Sequence, residues 1–482
     1  MLNYRIKHKY KLFTALLLLT AAGCKYKAVV IKSDMAVPDT YTGGNDTTTI
    51  AAVPVNIFFN DAALRTLIDS ALVRNFDRQS ALQHLEMATA NLRYTKTLML
   101  PQVNAVATAA ADKYGKYTMS GVGNFDTNLS GNIDDNQRVG TNPTPDYFVG
   151  LRASWEVDLW GKLNNQKKAA MARFLASKAG YKLITTELSA QIAISYYQLM
   201  GLDTEREIIR RNIVLQENAL EIVKIQKSGG RATELAVQQF AAQLANTKGL
   251  GYGISQQITE AENQLNLLTG NFNKQIKRDT SIIALPMPQN VSAGIPAQLL
   301  LNRPDIRQAE FELTAFNADI RSARAAFFPS LTITPYVGYN SFKAALLFNP
   351  SSAVFGLIGG LTAPVLNRRK IKTDYEFKLA EARQALFQYQ KTIVTGYQEV
   401  LNGIKGVENY SKYYELKQTE VAALKNAVSV ANDLYVVGRA SYLEVITAQR
   451  SVLDAELELA NIKKNVFMNQ IGLYRALGGG WR

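Results

Sequence analysis

The sequence predicts a mixed, mainly α-helical fold made of two similar halves, each with one β-hairpin and one long antiparallel helical hairpin. Three observations support this prediction. They are an internal repeat, two long stretches without proline, and short segments in which apolar and polar residues alternate. A length of 482 residues would ordinarily suggest about three domains. The repeat indicates a single extended architecture instead.

The repeat joins two pairs of short motifs that occur in the same order. Ala-Asn-Leu-Arg at 90–93 returns as Ala-Asp-Ile-Arg at 318–321, which is 228 positions later. Gly-Arg-Ala at 230–232 returns at 438–440, only 208 positions later. The first half must therefore contain about 20 more residues. The stretch 114–147, rich in Gly, Asn, Asp and Thr, is the natural place for them.

Long helices are expected where proline is absent. All 13 prolines lie between Pro38 and Pro364, and none falls in 146–285 or in 365–482. Apolar residues recur there at steps of three and four, as in a coiled coil. The first such stretch contains Leu188, Ile192, Tyr196, Leu199, Ile209, Ile213, Leu220 and Val223. Glycine interrupts each stretch once, which predicts two helical hairpins with glycine at the tips.

Four segments have the two-residue period of β-strands. Apolar residues alternate with polar ones between Val149 and Leu159, and more weakly between Leu331 and Gly338. Segments 102–112 and 354–363 complete two hairpins. Each strand has about ten residues, enough to cross a membrane when tilted. A soluble antiparallel sheet stays possible, but four strands in lipid would leave open edges, so a membrane location requires oligomerisation.

The first residues have the order of a bacterial signal peptide. Four basic residues precede the apolar run 12–22, and Cys24 follows directly after a small residue. This end resembles a lipobox, in which the cysteine is acylated and becomes the mature N-terminus, although Ala21 replaces the usual leucine. An unmodified cysteine near a cleavage site is the alternative. Cys24 is the only cysteine, so no disulfide is expected.

Charge and residue types exclude several functions. Loss of four leader cations lowers the count of Lys and Arg from 54 to 50, against 40 acidic residues, and the excess is spread along the chain without a nucleic-acid-binding stripe. The only histidines are His8 and His84. Without a histidine-based catalytic site or a phosphate-binding loop, we expect no enzyme and no nucleic-acid partner.

Several segments together resemble the TolC-type outer-membrane efflux family, specifically its lipoprotein branch. The resemblance rests on residues 301–310, 328–331, 435–450 and 473–481, and it covers nearly all of 60–482. It implies a homotrimer whose twelve strands, four from each chain, form a β-barrel in outer-membrane lipid above a periplasmic coiled-coil helical barrel. The implied partners are a periplasmic adaptor and an inner-membrane transporter of the RND type.

The resemblance also implies a gate and docking tips in the periplasm. In this family a leucine and an acidic residue after the second tip form constricting rings, followed by an arginine. The matching residues are Leu443, Thr447 and Arg450, so the acidic position is changed. Glu444 could restore the acidity if it faces the pore, or it could be a solvated residue of the outer face. The adaptor would dock at Gly229, Gly230, Gly438 and Arg439.

Two further motifs have local explanations. In 303–305, Pro304 opens a helix and Asp305 lies in its first turn, where the helix dipole favours a carboxylate. In 126–137, oxygen-bearing residues follow the spacing of an EF-hand calcium loop without a terminal glutamate or expected flanking helices, although an ordinary Asn/Gly-rich surface loop is the alternative. The candidate ligands are Asp126, Asn128, Ser130 and Asp134. No cofactor is expected apart from that calcium ion and the lipid on Cys24.

The expected function is passive conduction of small molecules across the outer membrane, with a conduit for type I protein secretion or a structural periplasmic adaptor as alternatives. The predicted organisation is a signal peptide (1–23), a lipidated linker (24–60), a helical segment (61–100), a β-hairpin with a long extracellular loop (101–160), a long helical hairpin (161–285), a linker and helix (286–328), a second β-hairpin (329–366), and a second helical hairpin with the C-terminus (367–482).

Overall fold

The structure is a computed structural model that describes residues 29–41, 49–140, 142–278, 281–287 and 293–481. The signal peptide and Cys24 lie outside these residues. The chain divides into two compact units. The first unit contains Met1–Lys32, Met87–Phe174 and Glu312–Leu386, and the second contains Ser33–Glu86, Leu175–Phe311 and Phe387–Arg482.

The first unit contains one four-stranded antiparallel sheet in the order β1-β2-β3-β4. Both predicted hairpins are present, and β2 pairs with β3 to join them. The strands are β1 (Gln102–Asp112), β2 (Thr144–Val157), β3 (Ser330–Ser341) and β4 (Ala353–Thr362). These bounds confirm the two-residue period as a strand signal.

Eight helices of more than four residues occur in the described residues, and four of them form two hairpins. The helices are α1 (Ala62–Arg74), α2 (Phe76–Thr97), α3 (Met119–Leu129), α4 (Lys162–Ser228), α5 (Glu234–Leu268), α6 (Pro304–Ala325), α7 (Arg368–Val436) and α8 (Tyr442–Ala476). Helices α4 and α7 have 67 and 69 residues, and α5 and α8 have 35 each. The matching lengths of the corresponding helices, which differ by at most two residues, confirm the internal repeat. None of the described helices is long and apolar enough to cross a membrane.

Glycine ends the first helix of each hairpin in the same way. Gly230 and Gly438 have φ angles of 72° and 76°, in the left-handed region that other residues rarely adopt. The next N–H after each glycine reaches back 2.8 Å to a carbonyl of the last turn, Arg231 to Gln226 and Arg439 to Leu434. These are Schellman-type ends, which turn the chain sharply at both tips.

The largest apolar cluster of the second unit is centred on the seam of α4. Ile192, Tyr196 and Leu199 are fully buried and pack with residues of α1, α5 and α8. The Tyr196 hydroxyl donates to the Asp61 carboxylate over 2.9 Å, so the polar end of the buried ring is satisfied. Burial of such side chains stabilises the fold by about 1.5–3 kcal/mol each. The predicted seam is therefore the one that the fold uses.

The long insertion of the first half differs from expectation, because it contains helix α3. Thr118 caps this helix by accepting a hydrogen bond from the Gly121 N–H at 3.1 Å. Val122, Phe125 and Leu129 then repeat at three and four residues, but all are at least partly exposed. A short helix with such a weak apolar face is hard to distinguish from a Gly- and Asn-rich loop.

Candidate functional site

The second hairpin tip ends in a capping box at the start of α8. Ser441 is the N-cap, and its hydroxyl oxygen accepts from the Glu444 N–H at 3.4 Å. The Glu444 carboxylate accepts from the Ser441 N–H at 2.6 Å and from its hydroxyl at 2.9 Å. The backbone bond from Ser441 is the largest cause that lowers the pKa of Glu444. Glu444 therefore stays ionised and satisfies the helix terminus.

This contact gives Glu444 a role that the two alternatives of the sequence analysis did not include. The carboxylate folds back on its own helix end instead of simply pointing to solvent. The signal was present in the sequence, since Ser-x-x-Glu before an apolar run is the pattern of a capping box. A cap and a negative charge at the mouth of the hairpin are compatible, because the accepted hydrogen bonds leave the charge in place.

The remaining gate candidates share one exposed face of α8. Leu443, Thr447 and Arg450 are exposed at spacings of four and three, and Leu443 is 57% exposed. The opposite face, with Val445 and Leu453, is buried. Leu443 therefore presents an apolar side chain on the exposed face of α8, together with Thr447 and Arg450.

Arg450 has a partner within its own helix. Its Nε lies 3.9 Å from Oδ2 of Asp454, one turn further on, and both side chains are exposed. Such a pair contributes little to stability in water. It does put an acidic group one turn beyond the arginine on the same exposed face, where the sequence analysis sought acidity only at Glu444 and Thr447.

A groove beside the gate candidates was not expected from the sequence. It has a volume of about 370 Å³ between α5 and α8, and its floor includes Leu443, Ile446 and Arg450. Helix α5 contributes the amide side chains Gln239, Gln243 and Asn246. Their spacing of four and three marks one polar face of a helix, so this signal was readable but pointed to no particular chemistry.

The two tips are exposed but differ in their ion pairs. At the first tip, next to Gly229 and Gly230, Lys227 pairs with Glu234 across the turn. At the second, Gly438 and Arg439 are exposed and no ion pair of Arg439 occurs among the described residues. Exposed apolar side chains flank both turns, namely Ile225, Leu235, Val436 and Val437. Each tip thus combines a fixed turn with a rim of exposed apolar side chains.

We expect Ser441→Ala to weaken the first turn of α8 by about 1 kcal/mol, because the N-cap hydroxyl is lost. Amide hydrogen exchange at Val445 and the neighbouring residues should become faster. Ser451→Ala, in the middle of the same helix, is the matched control and should leave exchange in that turn unchanged. Equal exchange in wild type and Ser441→Ala would show that the cap does not stabilise this tip.

A buried arginine cluster joins three segments of the second unit. The Arg303 side chain is only 8% exposed and forms two hydrogen bonds with Asp305, at 3.0 Å and 2.6 Å. It also donates to Glu399 and to the Ala476 carbonyl, each at 2.8 Å. Glu399 accepts a further bond from Arg475 at 3.2 Å. The cluster therefore fastens the start of α6 to α7 and to the end of α8.

Burial would lower the pKa of Arg303, but the hydrogen bonds and charges of Asp305 and Glu399 outweigh it and raise that pKa. Room for the guanidinium exists because residue 396 is glycine, whose added Cβ would lie 3.1 Å from the Arg303 Cζ. Helix α6 begins at Pro304, which confirms the local explanation of that motif. The partners in α7 and α8 could not be foreseen from the motif.

The residues of the candidate calcium loop lie in helix α3 and in the turns that follow it. Asp126 and Asn128 lie in α3, so the expectation of no helix beside the loop was wrong. The Asn128 side chain forms two 2.8 Å hydrogen bonds with the backbone of Val139. The Asp134 N–H donates to the Gln137 side chain at 2.9 Å. Among the described residues, no three His, Cys, Asp or Glu side chains are grouped so that they could hold a metal ion.

The fold of long paired helices and a four-stranded sheet is that of outer-membrane channel proteins. The sequence model of the family described as "Outer membrane efflux protein" matches residues 67–271 and 295–479. These ranges contain both helical hairpins and all four strands. The chain belongs to the outer membrane efflux protein family and is a protein of the outer membrane.

Individual relatives cover most of the chain. The cation efflux system protein CusC of Escherichia coli strain K12 is 29% identical over 427 residues, which is 88% of each chain. The solvent efflux pump outer membrane protein SrpC of Pseudomonas putida is 28% identical over 481 residues, 98% of this chain and 99% of SrpC. A crystal structure of CusC matches with a TM-score of 0.80 at 27% identity, over 94% of this chain and 99% of that one.

Proposed function

We propose that this chain is one of three identical subunits of an outer-membrane efflux channel, the exit duct of a tripartite pump. It would passively conduct small molecules that a periplasmic adaptor and an inner-membrane transporter deliver. The observation that carries the proposal is the sheet with two free edges. Within the described residues, β1 pairs only with β2, and β4 only with β3.

The free edges require partners if the sheet lies in lipid. Unpaired backbone N–H and C=O groups are very unfavourable in hydrocarbon, so a membrane sheet closes into a barrel. Strand β4 has the surface of a lipid-facing strand, since Phe355, Leu357 and Leu361 are exposed on one side and Phe355 is 87% exposed. Three chains of four strands give twelve, a number in the range of known membrane barrels.

The helical hairpins also support a trimer. Large apolar side chains are exposed along both long helices of the second unit, among them Val214, Leu215 and Ile222 of α4 and Val394, Leu416 and Val430 of α7. Isolated helices do not leave so many apolar side chains in water without a reason. Neighbouring subunits that pack side by side would cover them.

For the closed end of the duct, we infer a constriction at the second tip. Leu443, Thr447 and Arg450 share an exposed face, so three copies could present three leucines and three arginines to one axis. Asp454, next to Arg450, supplies an acidic group to this face. The exposed turns at Gly230 and Gly438, with their apolar rims, are the inferred adaptor contacts. A partner that binds there could pull the constriction apart.

The names of the relatives differ in the compounds they mention, a cation for CusC and a solvent for SrpC. We therefore propose a duct of low selectivity, in which the inner-membrane transporter selects the compounds. Its inferred gate is built from side chains of mixed chemistry, which suits charged and apolar molecules alike.

The proposed assembly can be tested in outer-membrane fractions. We expect an unheated detergent sample to migrate as a trimer and a boiled one as a monomer. Chemical cross-linking before extraction should capture the same three-chain species. A chain that fractionates with the outer membrane but cross-links only to other proteins would contradict the proposal.

We expect the mature chain to begin at an acylated Cys24. The charged, apolar and small-residue regions precede this cysteine in the order that lipoprotein signal peptides require. A clickable fatty acid should label wild type and leave Cys24→Ser unlabelled. The same variant should still assemble, because the acyl chains add only a secondary anchor to the barrel. Equal labelling of the two proteins would rule out acylation at this position.

A further inference from the structure

We propose that the first unit carries a cationic belt that binds the phosphates of anionic phospholipids in the periplasmic leaflet of the outer membrane. The proposal rests on the proposed function, because it needs the sheet in that membrane. The belt consists of Arg93, Lys96, Lys168, Arg368, Arg369 and Lys370. All six residues are exposed.

The sheet register brings the junctions between helices and strands to one end of the sheet, where the strands begin or finish. Gln102 at the start of β1 pairs with Ser154, and Val157 at the end of β2 pairs with Leu331. Ser330, which begins β3, pairs with Thr362, which ends β4. The chain therefore crosses this end of the sheet four times, twice on entering and twice on leaving.

The belt residues lie on the helical side of three of these junctions. Arg93 and Lys96 are in the last turns of α2, which ends at Thr97, five residues before β1. Lys168 is in the second turn of α4. Arg368 to Lys370 are the first three residues of α7, which begins six residues after β4. Cations from three separate helices thus lie next to the same end of the sheet.

The charge of the belt is not neutralised by the protein part that the structure describes. None of the six belt residues forms an ion pair there, whereas neighbouring cations do, such as Lys162 with Glu156 and Lys372 with Glu376. The first turn of α7 contains three cations and no acidic residue. This order is unfavourable, because a helix N-terminus is itself positive. An external anion would reverse that effect.

The three cations of α7 cannot avoid the outer surface together. Successive helical residues are about 100° apart, so Arg368, Arg369 and Lys370 project over about 200° of the circumference. At least one of them faces outward in any arrangement of subunits around an axis. The long side chains of arginine and lysine can reach the headgroup layer from there.

An apolar and aromatic collar separates the belt from the sheet. Leu366 is 94% exposed between β4 and Arg368, and Trp160 is 50% exposed between β2 and α4. The Trp160 ring stacks on Phe328 at 4.8 Å, and its N–H donates to the Pro329 carbonyl at 2.7 Å. Tryptophan with its polar end satisfied is typical of the membrane interface.

The protein presents strands, then the aromatic collar, then the cations. This order matches that of the membrane, from the hydrocarbon core through the interface to the headgroups. The helices of this family extend into the periplasm, so the belt faces the leaflet of phospholipids. Basic segments next to a membrane attract anionic lipid, and salt weakens the attraction. The chemistry selects a headgroup with a phosphate and no cationic group, such as phosphatidylglycerol, over the zwitterionic phosphatidylcholine.

Tryptophan quenching by brominated lipids measures this preference on the full-length protein in vesicles. At low salt, we expect brominated phosphatidylglycerol to quench the tryptophan fluorescence of wild type at a lower fraction in the bilayer than brominated phosphatidylcholine does. The fraction needed for equal quenching should be about threefold lower, and this difference should disappear near 0.5 M salt. Trp160→Phe identifies the share of the quenching that comes from the collar.

The variant R368Q/R369Q/K370Q should lose most of the preference. The control R211Q/K277Q/K391Q removes the same number of exposed cations from the second unit and should keep it. Equal quenching of wild type by both lipids would overturn the proposal without any variant, and so would a preference that the belt variant retains. If wild type still conducts in planar bilayers when either result is found, the belt has failed and the proposed function has not.

Discussion

Replacing Arg303 with methionine is expected to lower the free energy of unfolding by about 3 kcal/mol. Removal of one member of a buried ion pair leaves the other charges without compensation, at a cost of about 3–5 kcal/mol. The lower end applies here, because the side chains of Asp305 and Glu399 are 22% and 31% exposed and Glu399 keeps its bond from Arg475. The Ala476 carbonyl also loses its donor, so the end of α8 should loosen first. Thermal unfolding in detergent, followed by circular dichroism, measures the loss.

Arg307→Met is the matched control, since it lies four residues further along, in the first turn of α6. Its side chain is 36% exposed and pairs with Glu310 at three residues' distance. Exposed pairs of this kind contribute at most about 1 kcal/mol. A similar loss of stability in both variants would mean that the cluster around Arg303 does not hold the three segments together.

The double variant Leu443→Ala/Arg450→Ala is expected to raise the closed-state conductance by about twofold or more, because three copies of two large side chains leave a constriction. Single channels in planar lipid bilayers report this change directly. The reason is steric for leucine and electrostatic for arginine, whose partner Asp454 would then remain as an unpaired acidic group. The variant should therefore also become more selective for cations.

Glu444→Gln is the control for the gate, because glutamine can keep the capping box with Ser441. It should leave the closed-state conductance near the wild-type value, since the side chain folds back on its own helix end. Unchanged conductance in the double variant, or a large change in Glu444→Gln alone, would place the constriction elsewhere or give Glu444 a pore-facing role.

The long helices could be predicted because their signals are local. A long helical hairpin over 161–285 was expected, and its first helix, α4, spans Lys162–Ser228. Absence of proline, an apolar seam and a glycine at each tip are all properties of neighbouring residues in the sequence. The strands were equally readable, because the two-residue period and the flanking turns are local as well.

The Arg303 cluster could not be predicted in the same way. Its partners Glu399 and Ala476 lie 96 and 173 residues further along the chain, and no local pattern relates them. Helix α3 was missed for a different reason. Its few apolar residues are exposed, so the segment has only a weak apolar face from which a helix could be predicted. The Thr118 cap alone defines its start.

The central claim is a trimeric channel, and mass measurement of the purified protein in detergent, combined with conductance in planar bilayers, tests it most directly. We predict a particle of three chains that opens a single conducting pathway per particle. The free edges of β1 and β4 and the exposed apolar side chains of α4 and α7 both require that result. A monomer or dimer that conducts, or a trimer that never conducts, would contradict the account.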